Sequence, residues 1–207
     1  MHYYTKNSVI SMVFRIFFEL LPSLFWGLVI FGVSERHTAI ITLISALIHE
    51  CGHIGYLRYI KKGVKRLYAK HDGLRIKPTS TLSYQEERYM YLLGPLSNIA
   101  AAFISLPFAL INSGAGYIQE FFVINLINAF SNLLPVEGYD GYGILKSLIN
   151  EKDENGIWLG RLRAFSCFLV FFFCLFSIYL IDRFGNGYWI FAIFFVSMIK
   201  QIDKNIS

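Results

Sequence analysis

Charge is what this 207-residue chain has least of: Asp, Glu, Lys and Arg make up 16% of it, against 55% hydrophobic and 17% aromatic residues. A soluble domain typically carries about 25% charged residues, and with a mean hydropathy of +0.49 the sequence excludes that class. Cysteine is sparse as well. Cys51, Cys167 and Cys174 have no paired spacing, which excludes a disulfide framework and a zinc knuckle. No internal repeat, low-complexity tract or second domain is visible, so residues 1–207 are expected to form a single integral-membrane domain with no separate soluble domain. The net charge of +5 does not imply nucleic acid, because basic residues in a membrane protein report topology first.

What is present is an apolar run with one polar interruption. Between Thr38 and Tyr56 there is no Lys, Arg or Asp, and the acid and the bases all belong to His49-Glu50-Cys51-Gly52-His53. Two histidines four apart lie about 40° from each other around a helix, with Glu50 on the same sector. Imidazoles at that spacing supply two zinc ligands, and the carboxylate between them suits a base for a water whose pKa a metal has lowered. Five-residue patterns also arise by chance, and a lone helical histidine is usually a surface or core residue. The setting weighs against that, since an ionisable group at the centre of a span costs on the order of 2.5–3.5 kcal/mol and is a functional candidate by default.

The first expected span is Ile16–Val33, too long and without the small-residue cleavage site of a signal peptide. The second is roughly Thr38–Ile60 and holds the motif. From Arg58 to Arg88 the chain is amphipathic and basic, and alternation about His71-Asp72-Gly73 predicts a short β-hairpin over Val64 to Ile76. Ser83-Tyr84-Gln85-Glu86 has the form of a capping box. A third span, about Met90–Ile111, contains Gly94-Pro95-Leu96-Ser97-Asn98, a face expected to point at protein. The fourth, about Tyr117–Leu134, carries Asn125, Asn128 and Asn132. Pro135, Gly138 and Gly141 should then break the helix, with a restart over Tyr142 to Asn150. Leu162–Ile181 is a fifth span, with a Phe-rich lipid-facing run at 168–176, and Phe184–Ile199 a short sixth.

Six spans with a cytoplasmic N-terminus leave only Arg36 and Arg183 on the outer side and the other seventeen of nineteen Lys and Arg inside, as the positive-inside rule requires. Both termini are then cytoplasmic, in the cell membrane. The basic residues Arg58 to Arg66 are expected to face anionic lipid. His53 and Asp140 fall at matching depth on the cytoplasmic side. A catalytic zinc typically takes three protein ligands, and Asp140 is a candidate for the third. An Asp-Gly pair is equally a turn signal, so spacing alone leaves Asp140 open between ligand and turn.

Together, His49-Glu50-Cys51-Gly52-His53, then Gly94-Pro95-x-x-Asn98, then Asn132-x-x-Pro135-x-x-x-x-Asp140-Gly141 resemble the site-2 protease family of intramembrane zinc metalloproteases, over roughly residues 38–145. The compact six-span form looks most like the sporulation factor IVB-type members, which process a membrane-tethered precursor. The resemblance implies His49, His53 and Asp140 as Zn2+ ligands, Glu50 as general base, and Asn132 as a substrate-orienting or oxyanion-stabilising group. It departs from the family in Val136-Glu137-Gly138-Tyr139, an acid close to the third ligand. Only Lys200 to Ser207 follows the last span, so the regulatory domain of the sporulation enzymes is not expected.

The function implied is hydrolysis of a peptide bond in or near the transmembrane segment of a membrane-tethered protein, with the lipid bilayer, that substrate and a regulatory or inhibitory membrane protein as partners and no nucleic acid. A catalytically inactive scaffold or adaptor retaining the zinc site is the alternative, though a structural site has no need of Glu50. A transporter would show broken spans in both halves, and nothing beyond residue 150 repeats the motifs.

Overall fold

The computed structural model describes residues 36–70, 73–111, 116–153, 155–184 and 194. The expected first span lies outside these residues, as does all of the sixth but Phe184 and Phe194. Among the described residues the order is α1 (Arg36–Tyr59), β1 (Val64–Lys70), β2 (Gly73–Pro78), α2 (Tyr84–Ile111), α3 (Gly116–Asn132), α4 (Asp140–Asn150) and α5 (Ile157–Phe184). Three of these helices, α1, α2 and α5, are long and apolar enough to cross a membrane. Large apolar side chains stand exposed on them, including Leu47, Phe103, Ile104 and Phe168, as suits a protein whose solvent is lipid. At 17 residues, α3 is about 26 Å long, a little under the hydrocarbon thickness of about 30 Å.

The described residues gather into two compact units. One holds α1, the strand pair and residues 96–127. In it, α1 stops through backbone geometry. Lys62 N–H donates to Leu57 O and Lys61 N–H to Arg58 O, each at 3.0 Å, with Lys61 at φ 58°, the paired bonds of a Schellman ending. Gly63, also at positive φ, turns the chain into β1. The strands pair antiparallel, from Val64 opposite Pro78 to Lys70 opposite Gly73, with an irregularity between Val64 and Arg66. Their base is tied to the end of α1 by Thr79 N–H, which donates to Lys62 O at 3.2 Å, and by Lys62 Nζ, which donates to Thr81 O at 2.8 Å.

The other unit holds residues 82–95 and the chain from 128 onward. Its first helical turn is closed by a reciprocal capping box: Ser83 N–H donates to Glu86 Oε2 at 2.7 Å, and Glu86 N–H to Ser83 Oγ at 3.3 Å. Helix α2 starts at Tyr84, earlier than the expected span, because those caps let it extend past the apolar run. It continues through the buried Pro95, whose missing N–H costs the helix one hydrogen bond.

The break after α3 comes at Asn132, two residues before the expected end of that span. Val136 then plugs into a core of Val170, Cys174 and Phe194, and Glu137 N–H donates to the Ser166 hydroxyl at 2.8 Å. Gly138 turns at φ 109°. Helix α4 begins at Asp140 and not at Tyr142, with Tyr139 extended just before it. A carboxylate in the first turn is favoured by the positive end of the helix dipole, which moves the start two residues forward.

Candidate metal centre

Ile41, Ser45, His49, His53 and Leu57 recur every fourth residue of α1, and all five are buried. A four-residue step advances about 40° around a helix, so these side chains form one slowly winding seam. The two imidazoles meet edge to face, centroids 4.8 Å apart at 85°, with Nε2 atoms 3.2 Å apart. Glu50 follows His49 directly and is half-buried, with Oε2 shielded from solvent.

His49 is held from its other side. Its Nδ1 lies 2.8 Å from Asn98 Oδ1. Asn98 Nδ2 donates to Ser45 O at 2.9 Å and to Asn125 Oδ1 at 2.9 Å, with Ser45 Oγ at 3.1 Å. Ser45 Oγ donates to Asn125 Oδ1 at 3.1 Å, and Asn125 Nδ2 to Phe121 O at 2.9 Å. Ser45, Asn98 and Asn125 have no exposed surface, so this polar chain is sealed within apolar helices and must be internally matched. Ser97 Oγ adds a bond to Ile48 O at 2.8 Å.

Asp140 enters from the first turn of α4. Its position depends on Gly141, where a Cβ would lie 2.0 Å from Leu133 O and 2.8 Å from Leu134 O. Next to it, Tyr142 is buried; burial pushes its phenol above the usual range, the Glu137 charge adds to this, and Arg163 pulls the other way.

His49, His53 and Asp140 each offer one ligand atom, and these atoms all lie within 4.8 Å of one another, all three residues being buried. The set fits zinc on its own chemistry. Two nitrogens about 2.0–2.1 Å from a tetrahedral zinc are about 3.3–3.4 Å apart, against 3.2 Å here. A buried carboxylate near two imidazoles completes the usual three-ligand count of a catalytic site.

Asn132, the last residue of α3, is placed differently from a ready oxyanion donor. Its Nδ2 donates to Asn128 O at 2.9 Å and to Asn128 Oδ1 at 2.8 Å, so both amide hydrogens are engaged in its own helix and Oδ1 is the atom it offers. Ser45 and Asn125 belong to no motif in the sequence. The available signal was a polar side chain one helical turn before His49, inside an apolar run.

No family model and no curated protein matches the chain. Among solved structures it is similar to the site-2 protease from Methanocaldococcus jannaschii, with a TM-score of 0.64 over 88% of this chain and 87% of that one, at 16% identity. At that identity the likeness speaks to the fold.

Proposed function

We propose that the chain is an intramembrane zinc metalloprotease of the site-2 protease family, hydrolysing a peptide bond in or near the transmembrane segment of a membrane-tethered protein. The observation that carries this is the convergence of His49, His53 and Asp140 within 4.8 Å across 87 positions of sequence (140 − 53). The fold likeness to a site-2 protease supports it independently.

His49, His53 and Asp140 would hold the zinc, which when bound supplies a polarised carbonyl and a water acidified to a pKa near about 7. Glu50 takes the proton of the attacking water and delivers it to the leaving amine. Buried walls around the imidazole pair strengthen these charge interactions by excluding bulk water. Asn132 orients the substrate backbone through Oδ1, accepting from a peptide N–H, since its own hydrogens are held by Asn128. The β1–β2 pair offers an edge on which an unwound substrate could add a strand.

We further propose the six-span topology with both termini cytoplasmic, which sets His53 and Asp140 toward the cytoplasmic side, in one membrane domain nearest in form to the sporulation factor IVB-type proteases. A regulatory or inhibitory membrane protein is the expected partner besides substrate.

The test is Glu50→Gln expressed as full chain. It should trap a tagged single-span membrane protein that the wild type cleaves, keep its zinc, and show no turnover; a chelator should stop the wild type and added zinc restore it. Turnover by Glu50→Gln removes the base assignment, and zinc uptake with no cleavage of any trapped protein favours the inactive scaffold.

A further inference from the structure

Two backbone carbonyls fix the direction of every bond in the chain that ends on His49. A carbonyl oxygen only accepts, so the atom facing Phe121 O must be the Asn125 amide nitrogen, which turns Asn125 Oδ1 toward Asn98. Ser45 O likewise demands a donor from Asn98. With Asn98 Nδ2 committed to those two acceptors, the atom 2.8 Å from His49 Nδ1 is Asn98 Oδ1. An acceptor there requires His49 to carry its proton on Nδ1, leaving the Nε2 lone pair directed at the space it shares with His53 Nε2. Reversing the Asn98 amide would press its oxygen against Ser45 O and Asn125 Oδ1 where all three residues are fully buried.

We propose that Asn98, oriented by Ser45 and Asn125, is a positioning residue that fixes His49 as the Nδ1–H tautomer and so presents Nε2 as the metal ligand. This rests on the zinc reading of His49 given above. Asn98 is placed to touch neither substrate nor metal; it acts through the imidazole. The arrangement is the carboxamide version of the outer partner that metal-bound histidines usually have, whose loss typically weakens metal binding roughly 10–100-fold.

The experiment uses the full chain in detergent or nanodiscs with 15N-labelled histidine, and reads zinc affinity by chelator competition alongside the ring-nitrogen spectrum. Wild type should show His49 protonated at Nδ1 and metal-shifted at Nε2. Asn125→Leu removes the acceptor that turns Asn98, together with the Asn125 bonds to Ser45 Oγ and Phe121 O, and should raise the zinc Kd roughly 10–100-fold while an Nε2–H population of His49 appears. Asn98→Leu should lose at least as much. Ser105→Ala, which deletes another buried hydroxyl bonded to Ala102 O at 2.8 Å within α2, should change neither readout. Ligation through His49 Nδ1, or wild-type zinc affinity in both Leu variants, overturns the assignment and leaves the zinc reading standing. If wild type takes up no zinc, the proposed function falls, and an Nε2–H His49 in that metal-free protein overturns this inference separately. If Asn98→Leu does not fold, Asn125→Leu and the wild-type spectrum decide the matter.

Discussion

His49 and His53 face each other through their Nε2 atoms at 3.2 Å, one helical turn apart on α1. At that separation the two atoms are satisfied either by an N–H···N hydrogen bond or by a metal ion that accepts a lone pair from each. The 3.2 Å spacing is close to the about 3.3–3.4 Å expected between two nitrogens on one tetrahedral zinc.

Replacing His53 by Ala should therefore remove stoichiometric zinc, with an affinity loss beyond the roughly 10–100-fold that follows from disturbing an outer partner. Metal analysis after dialysis checks it. His53→Ala that keeps one zinc per chain would show that the ion sits elsewhere.

Gly141→Ala tests how Asp140 is placed. The added Cβ would meet Leu133 O at 2.0 Å, a backbone atom that cannot rotate away. Destabilisation at or above the usual 1–3 kcal/mol of overpacking is expected, about a lower bound here, with zinc affinity falling as Asp140 is displaced. Gly143→Ala should be milder, because its Cβ meets the Tyr91 ring at 2.7 Å and a side chain can move. Thermal unfolding of the two variants side by side ranks them.

Ser166→Ala removes the hydroxyl that accepts from Glu137 N–H at 2.8 Å and holds the broken segment onto α5. A cost of about 1–3 kcal/mol is expected for losing a buried acceptor. Denaturation in mild detergent reads it, and an unchanged midpoint would show that Val136 anchors the segment without help.

Tyr142 gives a pH dependence with a definite sign. Its phenol is raised above 10.0, first by burial and then by Glu137. Below pH 10.0 folded and unfolded chains both keep the proton. Between that pH and the folded value only the folded chain does, so stability falls as pH rises through the window. Tyr142→Phe should flatten that alkaline decline, which unfolding curves taken from neutral to alkaline pH would show.

How much was legible in the sequence follows from the range of each interaction. The pairing of His49 with His53 is local, set by helical periodicity alone, and the Ser83–Glu86 cap is local too. Asp140 joins them across 87 positions, and the Asp140-Gly141 pair by itself signals a turn as well as a ligand; only its match to a family pattern singled it out. The start of α4 at Asp140 was hidden because Gly138 and Gly141 look like breakers, whereas Gly141 is small in order to pass Leu133 O. The Ser45–Asn98–Asn125 chain depends on which faces of three helices meet, and no single-helix pattern contains that. For Asn132 the resemblance implied a substrate-orienting or oxyanion-stabilising group, and which of its atoms is offered depends on its helix neighbour Asn128, whose two oxygens accept its amide hydrogens.

The seam on α1 winds by about 160° between Ile41 and Leu57, four steps of about 40°. Ile40, Leu43, Ile44 and Leu47 stand exposed off it. Adaptation to a thicker, thinner or more fluid bilayer is thus free to rewrite those columns of the helix while the chemistry stays untouched. A saturation scan of α1 should accordingly show intolerance with a beat of four.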